Sequence, residues 1–358
     1  SASHNPYFDN GIKIFGLGGT KLSAEREAQI AQRLDEILSA PATPVSCVLP
    51  DVSEQAEEEY VLALHGALEG RDLRGLHLVV DAAHGAGSAL AGRIFEGLGA
   101  RVDVMNHRPD GKNINASCGA TDPTGLAAMV VRNGADLGLA LDGDADRLIA
   151  VDERGQIVDG DHIIALCAKD LMARGRLAHQ TVVVTVMTNL GFHQAMSAAQ
   201  INVVQTPVGD RSVLEAMDEG GFSLGGEQSG HVIFREQATT GDGLLTGLML
   251  ADLMVRESGQ SAGAQALVLF SELAAAAMTA LPQVLINVRL PVVPERFHEE
   301  LAAEIAGVES RLADGGRLLI RASGTEPMVR VMVEAPTMAL ATAQAQLLAD
   351  VISSRYNG

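Results

Sequence analysis

The stretch Leu76-His77-Leu78-Val79-Val80-Asp81-Ala82-Ala83-His84-Gly85-Ala86-Gly87-Ser88 decides the fold class. Residues 76–81 form a short apolar run, which reads as a buried strand. Residues 83–88 are small and glycine-rich and read as a turn into a helix. Residues 102–105 then supply a second strand, so the unit is β-α-β. Gly85-x-Gly87 opens like a dinucleotide fingerprint. That pattern needs a third glycine at residue 90, where this chain has Leu90, and a dinucleotide site is set aside. Residues 137–141 are another strand. The loop Asp142-Gly143-Asp144-Ala145-Asp146-Arg147 starts at its carboxyl end, where ligands gather in open α/β sheets.

The same grammar extends outward. Residues 182–186 and 203–205 read as strands around a helix. Thr206-Pro207-Val208-Gly209-Asp210-Arg211 turns into a further helix, and Arg211 at its start is a weaker anion candidate. Residues 222–224 lead into Gly226-Glu227-Gln228-Ser229-Gly230-His231, and a long helix follows Gly241-Asp242-Gly243. After Ser258-Gly259-Gln260-Ser261 the pattern changes. Residues 285–290, 317–320 and 329–333 suggest an antiparallel sheet, closed by an Ala-rich helix near 337–353. Upstream, Ser23 is placed to cap a helix with Glu25 and Glu27 in its first turn. Ile30, Leu34, Ile37 and Leu38 fall on one face of that helix. Residues 41–50 read as a strand or linker. The expected fold is α/β and multi-domain: β-α-β domains with mixed sheets, plus a C-terminal α+β domain. The expected divisions are 1–50, 51–153, 154–270 and 271–358. No internal repeat is visible at the level of residues.

With 358 residues the chain exceeds one ordinary core, and its apolar content of 47% argues against disorder. A formal net charge of −19 gives no basic footprint for nucleic acid. The same charge opposes capture of an anionic ligand, so any phosphate site must be locally basic. The three cysteines, Cys47, Cys118 and Cys167, include no C-x-x-C pair, and an odd count fits a reducing compartment. No run approaches a membrane span and no signal peptide is present, so a cytoplasmic location is expected.

Three groups carry chemistry. Asp142, Asp144 and Asp146 alternate, and in an extended loop their carboxylates would point one way. Three converging carboxylates attract a hard divalent cation, and Mg²⁺ suits a site that also accepts phosphate oxygen. A solvated acidic turn is the plainer alternative. An EF-hand is rejected: Glu153 stands at its twelfth position, but Arg147 sits where that loop needs glycine. Glu227 and Ser229 also alternate and are suitable partners for two neighbouring sugar hydroxyls. His231 reads as an acid/base group, a phosphate contact or a core histidine. Arg321, Ser323, Gly324 and Thr325 combine a guanidinium fork, two hydroxyls and free backbone amides. That composition suits a phosphate, and Arg330 on the following strand adds charge. A polar hairpin turn is the plainer alternative there.

The chain opens with Ser1-Ala2-Ser3-His4-Asn5-Pro6, followed by Asn10, Gly11 and Lys13. Together with the Asp142, Glu227 and Arg321 loops in this order, it resembles the α-D-phosphohexomutase superfamily over essentially the whole chain. The resemblance implies a four-domain protein that moves a phosphoryl group on a sugar phosphate. Ser3 would be the phosphoserine that carries it, and would join Asp142, Asp144 and Asp146 around Mg²⁺. His4, Lys13 and Arg147 would assist catalysis. Glu227, Ser229 and His231 would hold the sugar. Arg321, Ser323, Gly324, Thr325 and Arg330 would hold the phosphate that stays. Gln228, the segment Asn113-Ile114-Asn115-x-x-Cys118-Gly119-Ala120-Thr121 and the segment Thr239-Thr240-Gly241-Asp242-Gly243 resemble the branch acting on glucosamine phosphates.

Interconversion of glucosamine 6-phosphate and glucosamine 1-phosphate through a sugar bisphosphate is therefore expected. It would serve UDP-N-acetylglucosamine and cell-wall synthesis. Phosphomannomutase/phosphoglucomutase activity and a non-catalytic sugar-phosphate-binding remnant are the alternatives. The implied partners are a hexosamine phosphate and its bisphosphate, with no nucleic acid or membrane, for a monomer or homodimer. The chain starts inside the serine loop, without a strand to carry Ser3. It is expected to be an N-terminally truncated fragment and, by itself, inactive.

Overall fold

The structure is a computed structural model and describes residues 1–39, 53–260, 267–294, 296–323 and 326–356. The strand or linker expected at 41–50 lies outside these residues, as do Cys47, Gly324 and Thr325. Ser1–Met187 with Gln200–Ala277 form one compact unit, and Thr188–Ala199 with Met278–Gly358 form another.

In the first unit, α1 (Ala24–Leu38) starts where expected, with the Ser23 hydroxyl accepting the Arg26 N–H at 3.3 Å. Its expected apolar face is not buried: Ile30 is half-buried, and Leu34, Ile37 and Leu38 are exposed. Then come α2 (Ser53–Ala67), β1 (His77–Asp81), α3 (Ala91–Glu96), β2 (Arg101–Met105), α4 (Thr124–Asn133), β3 (Leu137–Leu141), β4 (Leu148–Asp152) and β5 (Ile157–Val158). They build a sheet in the order β2-β1-β3-β4-β5. β1 is parallel to both β2 and β3, whereas β4 and β5 run antiparallel. β1 and β3 are buried along their whole length, as a strand covered on both faces must be, so the apolar run is continuous rather than alternating.

The second sheet follows the same plan. After α5 (Gly160–Ala173) and β6 (Thr181–Thr185) the chain forms α6 (Leu190–Ala198), which groups with the other unit. It continues through β7 (Asn202–Thr206), α7 (Asp210–Gly220), β8 (Leu224–Gly226), β9 (Val232–Phe234), α8 (Gly243–Gln260) and α9 (Phe270–Ala277). The strand order is β7-β6-β8-β9, with only β9 antiparallel. Both sheets are therefore mixed, as expected.

The second unit contains α6, β10 (Gln283–Arg289), α10 (Phe297–Glu300), α11 (Ala302–Leu312), β11 (Arg317–Ala322), β12 (Met328–Glu334) and α12 (Met338–Tyr356). Its antiparallel sheet has the order β10-β12-β11. Val329, Val331 and Val333 of β12 face a core with Leu312, Leu348 and Ile352. Burying each such side chain stabilises by about 1.5–3 kcal/mol. The alternate positions carry Arg330, Met332 and Glu334.

Glu334 is 0% exposed. It receives Arg317 through Nη2 at 2.9 Å and Nε at 3.1 Å, and the Leu190 N–H at 2.9 Å. Arg317 also donates to the Thr188 carbonyl at 2.8 Å. Asn189 caps α6 through the Gly191 N–H and exchanges hydrogen bonds with the Leu281 backbone. One buried carboxylate thus anchors the start of α6. Glu334→Ala leaves Arg317 and the Leu190 N–H without their acceptor. It should destabilise this unit by about 3 kcal/mol, read as a lowered transition in scanning calorimetry.

Candidate active site

Leu141 pairs with Leu148 across β3 and β4, so residues 142–147 form the loop of a hairpin. The loop turns, with Ala145 at φ 61°. This corrects the extended-strand argument: the carboxylates converge because the backbone curls around them. Ligand atoms of Asp142, Asp144 and Asp146 lie within 4.8 Å of one another. Asp142 Oδ2, Asp144 Oδ1 and Asp146 Oδ1 are each buried without a hydrogen-bond partner. Burial raises the Asp142 carboxyl above its ordinary range, and the charges of Asp146 and Asp144 add to this. Burial pushes Asp146 up too, but His231 and Lys13 outweigh it and hold that carboxyl low. Lys13 Nζ pairs with Asp144 and, at 3.1 Å, with Asp146. Burial alone would lower the lysine, yet these carboxylates raise it. One ammonium cannot balance three carboxylates; Arg147 Nε stands 3.9 Å from Asp146 Oδ1, and one buried oxygen on each carboxylate still lacks a hydrogen bond. The group fits a metal site for an oxygen-seeking cation.

Neighbouring segments hold this loop by its backbone. The Ala86 N–H donates to the Gly143 carbonyl at 2.8 Å, and the Gly243 N–H to the Ala145 carbonyl at 2.9 Å. The Leu148 N–H donates to the Gly230 carbonyl at 3.0 Å. A Cβ on Gly85 would lie 2.2 Å from the Gly143 carbonyl oxygen, and one on Gly230 would lie 2.1 Å from that of Leu148. Glycine at 85 therefore serves the approach of the aspartate loop, which explains a glycine pair that lacks the rest of a dinucleotide motif.

Ser3 is brought to the same loop. Its carbonyl accepts the Gly143 N–H at 3.0 Å and the Asn115 side-chain amide at 2.6 Å. His4 is exposed; partial burial and then the Arg147 charge lower its pKa, so its imidazole is mainly neutral at pH 7. Arg147 donates its backbone N–H to Asp142 Oδ1 at 3.1 Å, while its Nε makes no hydrogen bond and stands 3.9 Å from Asp146 Oδ1.

The Glu227–His231 segment joins β8 to β9 as a tight turn, so Glu227 and Ser229 do not alternate along a strand. Glu227 Oε1 accepts the Gly209 N–H at 3.1 Å, and Ser229 stands exposed. His231 is 2% exposed. Its Nε2 accepts the Gly241 N–H at 3.1 Å, which leaves Nδ1 as the protonated nitrogen, 3.7 Å from Asp146 Oδ2. It stands behind an aspartate rather than on the wall of the adjoining cavity. That cavity measures ≈ 1400 Å³, and Lys13, Lys21, Tyr60, Asp144, Asp146 and Asp242 are among its lining residues.

In the other unit, Arg321 on β11 stands directly opposite Arg330 on β12. Burial, and then the Arg330 charge, lower the Arg321 pKa, and Arg330 Nε is buried without a partner. Two facing cations are unfavourable unless an anion joins them. The Ser323 N–H closes the hairpin onto the Met328 carbonyl at 2.9 Å.

Sequence reasoning missed Asp81. This residue is fully buried and binds the Ala83 N–H, the Asn106 amide and the Gly119 N–H, each at 2.9 Å. An aspartate closing an apolar strand was its only signal. Tyr60, which donates to Asp242 Oδ2 at 2.8 Å, was also missed. Burial pushes the Cys118 thiol up to about 11, so that cysteine is unreactive at neutral pH.

Four descriptions of Phosphoglucomutase/phosphomannomutase match in order. They are alpha/beta/alpha domain I at residues 1–40, domain II at 58–155, domain III at 159–272 and the C-terminal domain at 285–351. A phosphoglucosamine mutase of Anoxybacillus flavithermus is 49% identical over 359 residues, covering 99% of this chain and 78% of its own. One of Clavibacter michiganensis is 49% identical over 357 residues, covering 99% and 79%. Among solved structures, a phosphoglucomutase/phosphomannomutase family protein from Burkholderia thailandensis has a TM-score of 0.75 at 24% identity, covering 99% of this chain and 75% of that one. The Aspergillus fumigatus N-acetylphosphoglucosamine mutase, solved with GlcNAc-6P and magnesium, has a TM-score of 0.73 at 20% identity, covering 98% and 87%. These two structures speak for the fold.

Gly85→Ala should displace the aspartate loop although residue 85 offers no ligand atom. Divalent-cation affinity should fall by about tenfold or more in titration calorimetry, equal to at least ~1.4 kcal/mol. Unchanged affinity would detach the glycine turn from the loop.

Proposed function

The chain belongs to the phosphoglucosamine mutases of the phosphoglucomutase/phosphomannomutase family, and on that premise we propose that it interconverts glucosamine 6-phosphate and glucosamine 1-phosphate. The observation that carries the chemistry is the set of three clustered aspartates, each with one unpartnered buried oxygen, beside a Ser3 backbone bonded into their loop. In this reading the four loops stand in four domains, divided at 50/51, 153/154 and 270/271.

Ser3 carries the phosphoryl group. In the forward step the Ser3 Oγ–P bond breaks and a bond forms from phosphorus to the free hydroxyl oxygen of the bound sugar phosphate. The hydroxyl proton leaves to a nearby base, and the departing Ser3 Oγ takes up a proton in its place, so the proton count is unchanged. The product is a sugar bisphosphate, which turns over and returns its other phosphoryl group to Ser3. No atom is gained or lost, as isomerisation requires. His4, neutral at working pH, is the candidate proton acceptor. Lys13 and Arg147 bring positive charge to a cluster of carboxylates that would otherwise repel a phosphate. Asp142, Asp144 and Asp146, with the Ser3 phosphate, would hold Mg²⁺, which when bound supplies charge neutralisation for the transferring phosphoryl group.

Glu227 and Ser229 bind sugar hydroxyls, while His231 supports Asp146 from behind. Arg321, Ser323, Gly324, Thr325 and Arg330 hold the phosphate that is not transferred. The facing guanidiniums of Arg321 and Arg330 support that assignment.

Three measurements on the full-length natural protein test the reading. Ser3→Ala should abolish turnover of glucosamine 6-phosphate supplied with a catalytic sugar bisphosphate. Intact-mass analysis of active enzyme should place one phosphate on Ser3, and phosphate on another residue overturns the role. Arg321→Ala should raise KM by about 10- to 100-fold, since a charge-assisted phosphate contact contributes about 1.5–3 kcal/mol. An unchanged KM removes Arg321 from the clamp.

A further inference from the structure

Ser3 is held at φ 52°, in the left-handed region that a serine seldom adopts without support. The support is specific. The Ser3 N–H is accepted by Ser1 Oγ at 3.0 Å. The Asn5 N–H returns to the Ala2 carbonyl at 2.9 Å, closing a turn over Ser3 and His4. Across that turn lies the side-chain amide of Asn115. Its Nδ2 donates to the Ser3 carbonyl at 2.6 Å and to the Asn5 carbonyl at 2.9 Å. Asn115 itself sits at φ 56°, with its N–H on the Ala83 carbonyl at 3.0 Å.

The Ser3 carbonyl accepts from Asn115 and from the Gly143 N–H, so both of its lone pairs are used. A peptide plane held at two points cannot rotate, and the direction of the adjoining Ser3 Cα–Cβ bond is fixed with it. The junction has no slack: a Cβ on Gly143 would lie 2.4 Å from the Ser3 oxygen and 2.9 Å from Asn115 Nδ2. A two-hydrogen amide at this length of arm is what two carbonyl acceptors require. A serine offers one donor and an aspartate none.

We propose that Asn115 is a positioning residue for the phosphoryl carrier, aiming Ser3 at the reacting hydroxyl by clamping the Ser3 and Asn5 carbonyls. The inference rests on the reading that Ser3 carries the phosphoryl group. Asn115→Asp keeps the volume but sets oxygens against the two carbonyls, whereas Asn115→Ala removes the amide altogether. Misplacement of a reacting group by about 1 Å costs on the order of 100-fold in rate.

In the full-length natural protein, Asn115→Asp should therefore lower kcat by about 100-fold and Asn115→Ala by less. KM for glucosamine 6-phosphate and affinity for Mg²⁺ should stay within about twofold in both. A packing role gives the reverse order, because Ala leaves the larger void. Amide hydrogen exchange of Gly143 and Asn5 should speed up in both variants. An unchanged kcat, a larger loss for Ala than for Asp, a parallel loss of KM or metal affinity, or unchanged exchange at Gly143 each overturns the proposal. If the unsubstituted protein turns over no hexosamine phosphate, the functional reading fails, and the exchange measurement alone decides the clamp.

Discussion

Three carboxylates gathered in one short turn impose the constraint on which the rest of the first unit depends. Placing Asp142, Asp144 and Asp146 within 4.8 Å of one another is electrostatically unfavourable, and burial sharpens the cost. The surroundings answer it in two ways. Lys13 and the His231 ring stand against two of the carboxylates. The backbone of the turn donates to the Ser3 carbonyl and accepts from the Ala86 and Gly243 N–H groups, while Leu148 beside it donates to the Gly230 carbonyl, and these bonds oppose relaxation of the side chains. Close backbone approach demands glycine, and glycine is found at residues 85 and 230. The buried oxygens left without hydrogen bonds then share one place and one sign of charge.

Much of this was legible in the sequence because it is local. β1 and β3 announce themselves as apolar runs, and Ser23 as a cap. The aspartate loop is recognisable by its spacing, although the reason given for its convergence was wrong: alternation belongs to strands, and the loop is a turn. What stayed hidden depends on partners distant in sequence. Asn115 reaches Ser3 across 112 positions, a separation that no local pattern bridges. Asp81 binds the ends of two strands and a loop that no pattern relates to it. β5 and β9 are too short to show a period. The α1 stripe has helical spacing, but spacing says only which residues share a face, not that anything covers it.

The sheet of the second unit shows how one strand pair can hold opposite electrostatic states. At one end of β11 and β12, Arg317 stands against Glu334, and the pair is satisfied internally. Four residues further along β11, Arg321 stands against Arg330, and cation faces cation. The first arrangement is an answer to burial and needs nothing from outside. The second has no carboxylate opposite it, and Arg330 Nε is buried there without a hydrogen bond. A neutralised pair and a like-charge pair thus stand on a single ladder, with Leu319 opposite Met332 between them.

The C-terminal unit is not one continuous piece of chain, because Thr188–Ala199 is drawn into it from far upstream. Heredity reads that differently from folding. Recombination that exchanged only the residues from 278 onward would leave Glu334 facing an α6 start it had not evolved with. Glu334 and Arg317 meet the Thr188 carbonyl and the Leu190 N–H, backbone groups that serve only where the start of α6 keeps its place. The natural module for transplantation between relatives is therefore a discontinuous one.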